Sequence, residues 1–273
     1  MIDLNVITKI GRQKNNPERY NIYINEQYSF AVDEGTLIKF GLMKGKELEQ
    51  FDIDEIVYED EIAKAFNKGL TFLSYQMRSE QEVRKKLLAA EHGEAVVEEA
   101  IRKLERLGFL NDETYSKALL ETKKRTAKKG PRAIQQDLIK KGINKDLQKE
   151  VLSSYSHEDQ MTNALELAEK TVRAGEAKTP AQVKQKIQDL LMRKGYSFSI
   201  VSEVLDQIKL TRDDEQWNDL IEKQGEKIWS KYTAKFSGGE RKMKVKQALY
   251  QKGFPTEVIH QYIEMKEQQE DGE

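Results

Sequence analysis

The 273 residues are 38% apolar, enough to bury a core, and their 46 Lys and Arg against 47 Asp and Glu leave a net charge of −1, which excludes a global field drawing the chain onto nucleic acid. The absence of cysteine excludes disulfides, thiolate catalysis and thiolate metal sites, and fits a reducing compartment. The opening MIDLNVITKIGRQK has an early acid and no apolar block of signal-peptide length, and no apolar run approaches the ~18 residues of a membrane span, so a cytoplasmic protein without membrane contact is expected.

Residues 1–58 differ in texture from the rest. In RYNIYINEQYSFAVDE, Tyr20, Ile22 and Ile24 alternate with polar residues, as do Tyr28, Phe30 and Val32, around the break Asn25-Glu26-Gln27, which predicts a hairpin. Pro17 marks a loop before it, and GLMKGKELEQFDIDEIVYED reads as a short helix followed by a connector. The expectation is a small, mainly β domain.

From Glu59 onward the periodicity is helical, and a weak internal repeat emerges. Its clearest copy is Ile134, Leu138, Gly142, Leu147 and Val151; Ile187, Leu191, Gly195, Ile200 and Val204 repeat the spacing, as do Val245, Leu249, Gly253, Val258 and Tyr262. Val83, Leu87, Val96 and Ala100 fit a fourth copy, with Glu91 in place of the glycine. A period of roughly fifty to sixty residues has room for three helices per unit, two flanking the glycine and one leading. The leading helices are EIAKAFNKGLTFLSY, DETYSKALLETKKRTA, HEDQMTNALELAEKTVRA and DDEQWNDLIEKQGEKIWSKY. Units at 59–110, 111–156, 157–210 and 211–273, the last including an acidic tail, would stack into an elongated, curved array, because each buries little alone. The fold class expected is therefore mainly α, with tandem three-helix repeats behind the β domain.

Two basic features need separate readings. Lys141, Lys194 and Lys252 each precede a repeat glycine, where a left-handed residue ends a helix and a cation offsets the negative dipole end. In KKRTAKKGPR, by contrast, Lys123, Lys124, Arg125, Lys128, Lys129 and Arg132 stand together without an acid. Gly130 and Pro131 close one helix and open the next, so these cations straddle a corner and the amides behind Pro131 are open to an anion. This corner is either a solvated face or a contact surface for phosphate or an acidic protein patch; a contact surface is the reading adopted. Arg84, Lys85 and Lys86, near Arg78, Glu80 and Glu82, read as intrahelical pairs that could add to the contact, and Arg241, Lys242, Lys244 and Lys246 follow a flexible Ser237-Gly238-Gly239 joint. The tail from Glu264, five acids against Lys266, reads as a frayed, solvated end.

Catalytic chemistry finds no support. His92, His157 and His260 are scattered without a partner at ligand spacing, and SGGERKMK lacks phosphate-loop spacing and a preceding strand. Trp217 and Trp229 fit core packing. A non-enzymatic binding protein without metal or cofactor is expected.

RSEQEVRKKLL (Arg78–Leu88), LERLGFLNDETYSKAL (Leu104–Leu119) and KKGPRAIQQDLIKKGI (Lys128–Ile143) resemble, in sequence and order, the signature stretches of the RecX family, regulators of the RecA recombinase. The resemblance covers residues 60 to 210 well; the β domain and fourth unit are less distinctive, although longer family members carry added segments of this kind. One departure is Glu91-His92 where a Gly-apolar pair is usual, so a different cap is expected there. The resemblance implies a modular array of three-helix repeats that lies in the groove of the RecA–DNA filament. There it would inhibit ATP hydrolysis, strand exchange and stimulated repressor cleavage, and favour disassembly. The implied partners are the RecA nucleoprotein filament and, more weakly and without sequence preference, single-stranded DNA, met by a monomer. The expected RecA/DNA contact set is Lys123, Lys124, Arg125, Lys128, Lys129 and Arg132, with Arg84, Lys85, Lys86, Arg241, Lys242 and Lys244 as secondary candidates. A stand-alone single-strand binder is the alternative, disfavoured by the neutral net charge and the lack of aromatics between the basic residues; a scaffold for another protein is a third possibility.

Overall fold

The computed structural model describes residues 5–271; Met1–Leu4, Gly272 and Glu273 lie outside it, and with them Asp3 of the opening stretch and Glu273 of the tail. The described residues form four strands and thirteen helices. By internal contacts they divide into two compact units, one running to Leu119 and including Leu138–Gln148, the other comprising Leu120–Asp137 and the chain from Lys149 onward.

In the first unit, strands β1 (Asn5–Arg12), β2 (Arg19–Ile24), β3 (Gln27–Asp33) and β4 (Glu47–Leu48) make an antiparallel sheet of order β3-β2-β1-β4. The β2–β3 hairpin is the one the alternation predicts. Asn25 and Glu26 both take positive φ, 49° and 69°, the signature of the turn whose twist matches paired strands. Ile7, Ile22, Phe30 and Val32 form its buried side with Leu42, Leu48 and Ile56.

Helix α1 (Glu34–Lys39) is short, and the stretch read as helix and connector is instead β4 followed by the 26-residue helix α2 (Gln50–Tyr75). The expected boundary at 58/59 between the β domain and the first repeat therefore falls mid-helix. Its acidic first half looked like a connector because Asp60 interrupts the apolar stripe. Asp60 is nevertheless buried: Arg19 of β2 grips it at 2.7 and 3.2 Å, and it accepts the Asp33 amide at 2.9 Å. A buried carboxylate is tolerable only when paired and hydrogen-bonded in this way.

Helices α3 (Glu80–Leu88) and α4 (Glu94–Arg106) complete the first repeat core with α2 around Val83, Leu87, Val97, Ala100 and Leu104. Then come α5 (Asp112–Thr126), α6 (Pro131–Lys140) and α7 (Lys145–Ser153), each with residues in both units. The second unit continues with α8 (His157–Arg173), α9 (Pro180–Lys194) and α10 (Phe198–Gln207), packed on Ile187, Leu191, Tyr196, Ile200 and Val204. It ends with α11 (Asp214–Thr233), α12 (Gly238–Gln251) and α13 (Thr256–Asp271), where Trp229 is buried edge-on to Tyr262 and Trp217 packs on Phe254. Gly238 and Gly239 open α12 and so are part of a helix, not a free linker. Nor is the tail frayed: α13 runs to Asp271, and Lys266, Glu267 and Glu270 pair with Glu226, Lys242 and Arg241.

The repeat glycines do two jobs. Gly142, Gly195 and Gly253 have φ of 79°, 89° and 84°, as left-handed helix ends require. Each also lies against the first turn of the preceding repeat's middle helix, so that a Cβ would come within 2.6 Å of Gln81 Cβ, 2.7 Å of Ala133 Cβ and 2.5 Å of Ala181 Cβ respectively. In the second unit the join is hydrogen-bonded: the Gly130 amide donates to the Lys194 carbonyl at 2.8 Å, the Arg132 amide to the Gly195 carbonyl at 3.1 Å, and Thr179 Oγ1 to the Lys252 carbonyl at 2.5 Å. The orphan carbonyls ending one middle helix thus meet the orphan donors starting another. Glu91 corrects an expectation. It adopts the same left-handed cap, φ 65°, and keeps its side chain because it is exposed, with no earlier repeat seated against it.

Candidate functional site

The basic corner lies where α5 ends and α6 begins. Lys128 sits at φ 46°, and its carbonyl accepts the Tyr196 hydroxyl at 3.0 Å. That turn carries the chain from α5 into α6, and the cluster is not free of acids in space. Lys124 pairs with Asp159 at 2.6 Å and lies over the Tyr155 ring; Lys128 reaches Glu166 at 2.6 Å and Asn163 at 3.2 Å; Lys129 reaches Asp137 at 2.6 Å. These lysines hold the Asp159 and Glu166 carboxyls below their ordinary values through charge-assisted hydrogen bonds. Asp159 and Glu166 stand 35 or more residues away on α8, beyond any local window, so nothing near the cluster in sequence reveals them.

Lys123, Arg125 and Arg132 remain without a carboxylate partner among the described residues, Arg125 and Arg132 exposed and Lys123 half-buried. The α6 amides offered to an anion are closed off, since Gly130 and Arg132 already donate to Lys194 and Gly195.

The secondary candidates divide similarly. Arg84 is held by Glu80 of its own helix at 2.7 Å, the intrahelical pairing expected, and by Glu98 of α4 at 2.8 Å, while Lys85 is exposed and Lys86 lies over Phe72. Arg241 stacks on Trp229 and pairs with Glu270 at 2.6 Å; Lys242 pairs with Glu267 at 2.6 Å; Lys244 lies 6.0 Å from the Phe236 ring. Cations engaged in this way add little to recognition unless a partner displaces their acids.

The lysines before the repeat glycines are structural in two of three cases. Lys141 Nζ reaches Glu82 Oε1 at 2.6 Å, and Lys194 Nζ donates to the Ala127 carbonyl at 2.7 Å. His92 faces Glu61, His157 faces Glu203 and His260 faces Lys246, so the three histidines stay apart. Among the described residues no group of three His, Cys, Asp or Glu could hold a metal ion, and no helix is long and apolar enough to cross a membrane.

Comparison with known proteins gives one consistent answer. Family models match as the Regulatory protein RecX N-terminal domain over residues 5–49, the first RecX three-helix domain over 65–104, the second over 111–152, and the third over both 158–205 and 214–263. The chain is 42% identical to Regulatory protein RecX of Bacillus subtilis (strain 168), over 96% of this chain and 98% of that one, and 41% identical to the protein of the same name from Bacillus licheniformis, over 95% and 98%. A crystal structure of regulatory protein RecX aligns with a TM-score of 0.66 at 37% identity, covering 75% of this chain and all of that one. A crystal structure of RecX from Lactobacillus salivarius aligns with a TM-score of 0.53 at 33% identity, covering 55% and 99%.

Proposed function

We infer that this chain, which belongs to the RecX family of regulatory proteins, is a non-enzymatic regulator of the RecA recombinase that binds in the groove of the RecA–single-stranded DNA filament. In that role it inhibits the filament's ATPase, strand exchange and coprotease activity and promotes disassembly, as a cytoplasmic monomer. The observation that carries the reading is the remainder of the basic corner that has no carboxylate partner among the described residues, exposed Arg125 and Arg132 with half-buried Lys123. A local cationic corner on a neutral protein suits an acidic groove or exposed phosphate better than it suits bulk nucleic acid. We assign the repeats to 59–110, 111–156, 157–210 and 211–273, with the β domain at 1–58 sharing α2 with the first repeat.

The test is single-strand-dependent ATP hydrolysis by preassembled RecA filaments with this protein added substoichiometrically. Inhibition well below one copy per RecA supports the reading. Inhibition only at amounts that saturate the bare strand favours a stand-alone competitor for single strands.

A further inference from the structure

Five lysines from three separate stretches of the chain wall one cavity of the second unit. Lys223, Lys227 and Lys231 recur every four residues along α11, a rise of about 6 Å each, and Lys178 and Lys252 join them around a volume of about 440 Å³. Gln182 and Gln224 approach each other at its side, where Gln224 also donates to the Ala177 carbonyl at 2.8 Å. No carboxylate lines this cavity, and among the described residues none of the five lysines has an acid partner.

The segregation comes from packing around α11. Glu222 and Glu226 of the same helix turn to α13, Glu222 beside Tyr262 and Glu226 onto Lys266 at 2.5 Å, which leaves Lys223, Lys227 and Lys231 together on the neighbouring stripe; one turn earlier that stripe carries Asp219, which with Glu176 lines an adjoining cavity that Lys223 shares. Residues 222–231 read in order show mixed charge, which hid this stripe; only the four-residue spacing betrays it. Like charges crowd enough that Lys186, and then Lys252, push the Lys178 ammonium below its ordinary value. Such an arrangement is relieved by an anion.

We propose that this cavity is a phosphate-chain site that takes the sugar–phosphate backbone of a single nucleic-acid strand. Lysines act as point charges for phosphate, without the fixed fork that a lone carboxylate would call for. No aromatic side chain lines the cavity, so a nucleotide base has nothing to stack on, and a run of phosphates read without sequence is what remains. The choice of a strand over free polyphosphate rests on the filament reading above; the anion site itself rests on the lysines.

The experiment compares wild type with Lys223→Gln/Lys227→Gln/Lys231→Gln and with Lys178→Gln/Lys252→Gln, at unchanged circular dichroism, by anisotropy of a labelled 20-nucleotide oligo-dT at several salt concentrations. Inorganic tripolyphosphate serves as competitor, and RecA ATPase is read in parallel. Expected are a tenfold or greater loss of oligo-dT affinity and, for the triple variant, a log–log salt slope shallower by about two. Unchanged affinity and slope in both variants overturn the site, whatever the ATPase does. Tripolyphosphate binding by a wild type that leaves oligo-dT free overturns the assignment to a strand. Lost oligo-dT binding supports the site even if wild type fails to inhibit RecA, so the two readings fail separately.

Discussion

Gly195 leaves no room for a side chain beside Ala133: a Cβ built on it would stand 2.7 Å from the Ala133 Cβ, while its carbonyl accepts the Arg132 amide at 3.1 Å. The position therefore serves as helix cap and as seat for the start of α6. Gly195→Ala meets both a left-handed backbone and a backbone clash, and should cost about 2–4 kcal/mol in urea unfolding. The exposed Glu91 shares the cap but not the seat, so Glu91→Gly should gain about 1 kcal/mol by relieving the left-handed strain. Equal effects at the two sites would contradict the double role.

Asp60 ties the sheet to α2 through Arg19. Removing the carboxylate leaves the part-buried Arg19 guanidinium and the Asp33 amide without their acceptor, so Asp60→Ala should cost roughly 3 kcal/mol. Thermal melting should show that loss, and a melting curve within a degree or two of wild type would mean that the pair is dispensable.

Lys141 and Glu82 set a pH dependence. Burial pushes the Glu82 carboxyl up, but the Lys141 ammonium and the Ser79 amide outweigh it and hold it below its ordinary 4.5. A carboxyl lowered in the folded state stabilises above its unfolded value and loses that contribution as pH falls through the folded one. Lys141, raised above 10.5 by its bond to Glu82, stabilises below that pH and loses its share as pH rises through the folded value. The half-exposed pair contributes about 0.5–1 kcal/mol. Chemical denaturation at pH 3, 7 and 11 should show Glu82→Gln flattening both limbs, and parallel profiles would rule the pair out.

For recognition, reversing Lys128 or Lys129 is a poor probe, because a carboxylate there would face Glu166 or Asp137. Lys123→Glu/Arg125→Glu/Arg132→Glu disturbs no ion pair among the described residues. It should weaken inhibition of RecA ATPase about tenfold or more at unchanged helicity, and full inhibition would remove the corner from the contact surface.

Trp229 reports on the tail, since its indole donates to Glu270 at 2.9 Å beneath Arg241. Glu267→Gln/Glu270→Gln should redshift its emission as α13 loosens; an unshifted spectrum would show that α13 holds without those carboxylates.

Sequence alone determined the features that depend on neighbours a few residues away. The β2–β3 hairpin, the four leading helices and the repeat glycines follow from local alternation, three-and-four spacing and the left-handed backbone that glycine tolerates. Tertiary structure decided which charges are free. A carboxylate 35 residues away answers Lys124, a strand arginine makes Asp60 a helix core residue, and packing of α11 on α12 and α13 sorts its lysines from its glutamates. Helical and strand periodicity is written within one or two turns of chain, whereas an ion pair in a low-dielectric contact forms between whatever residues the packing brings within 4 Å.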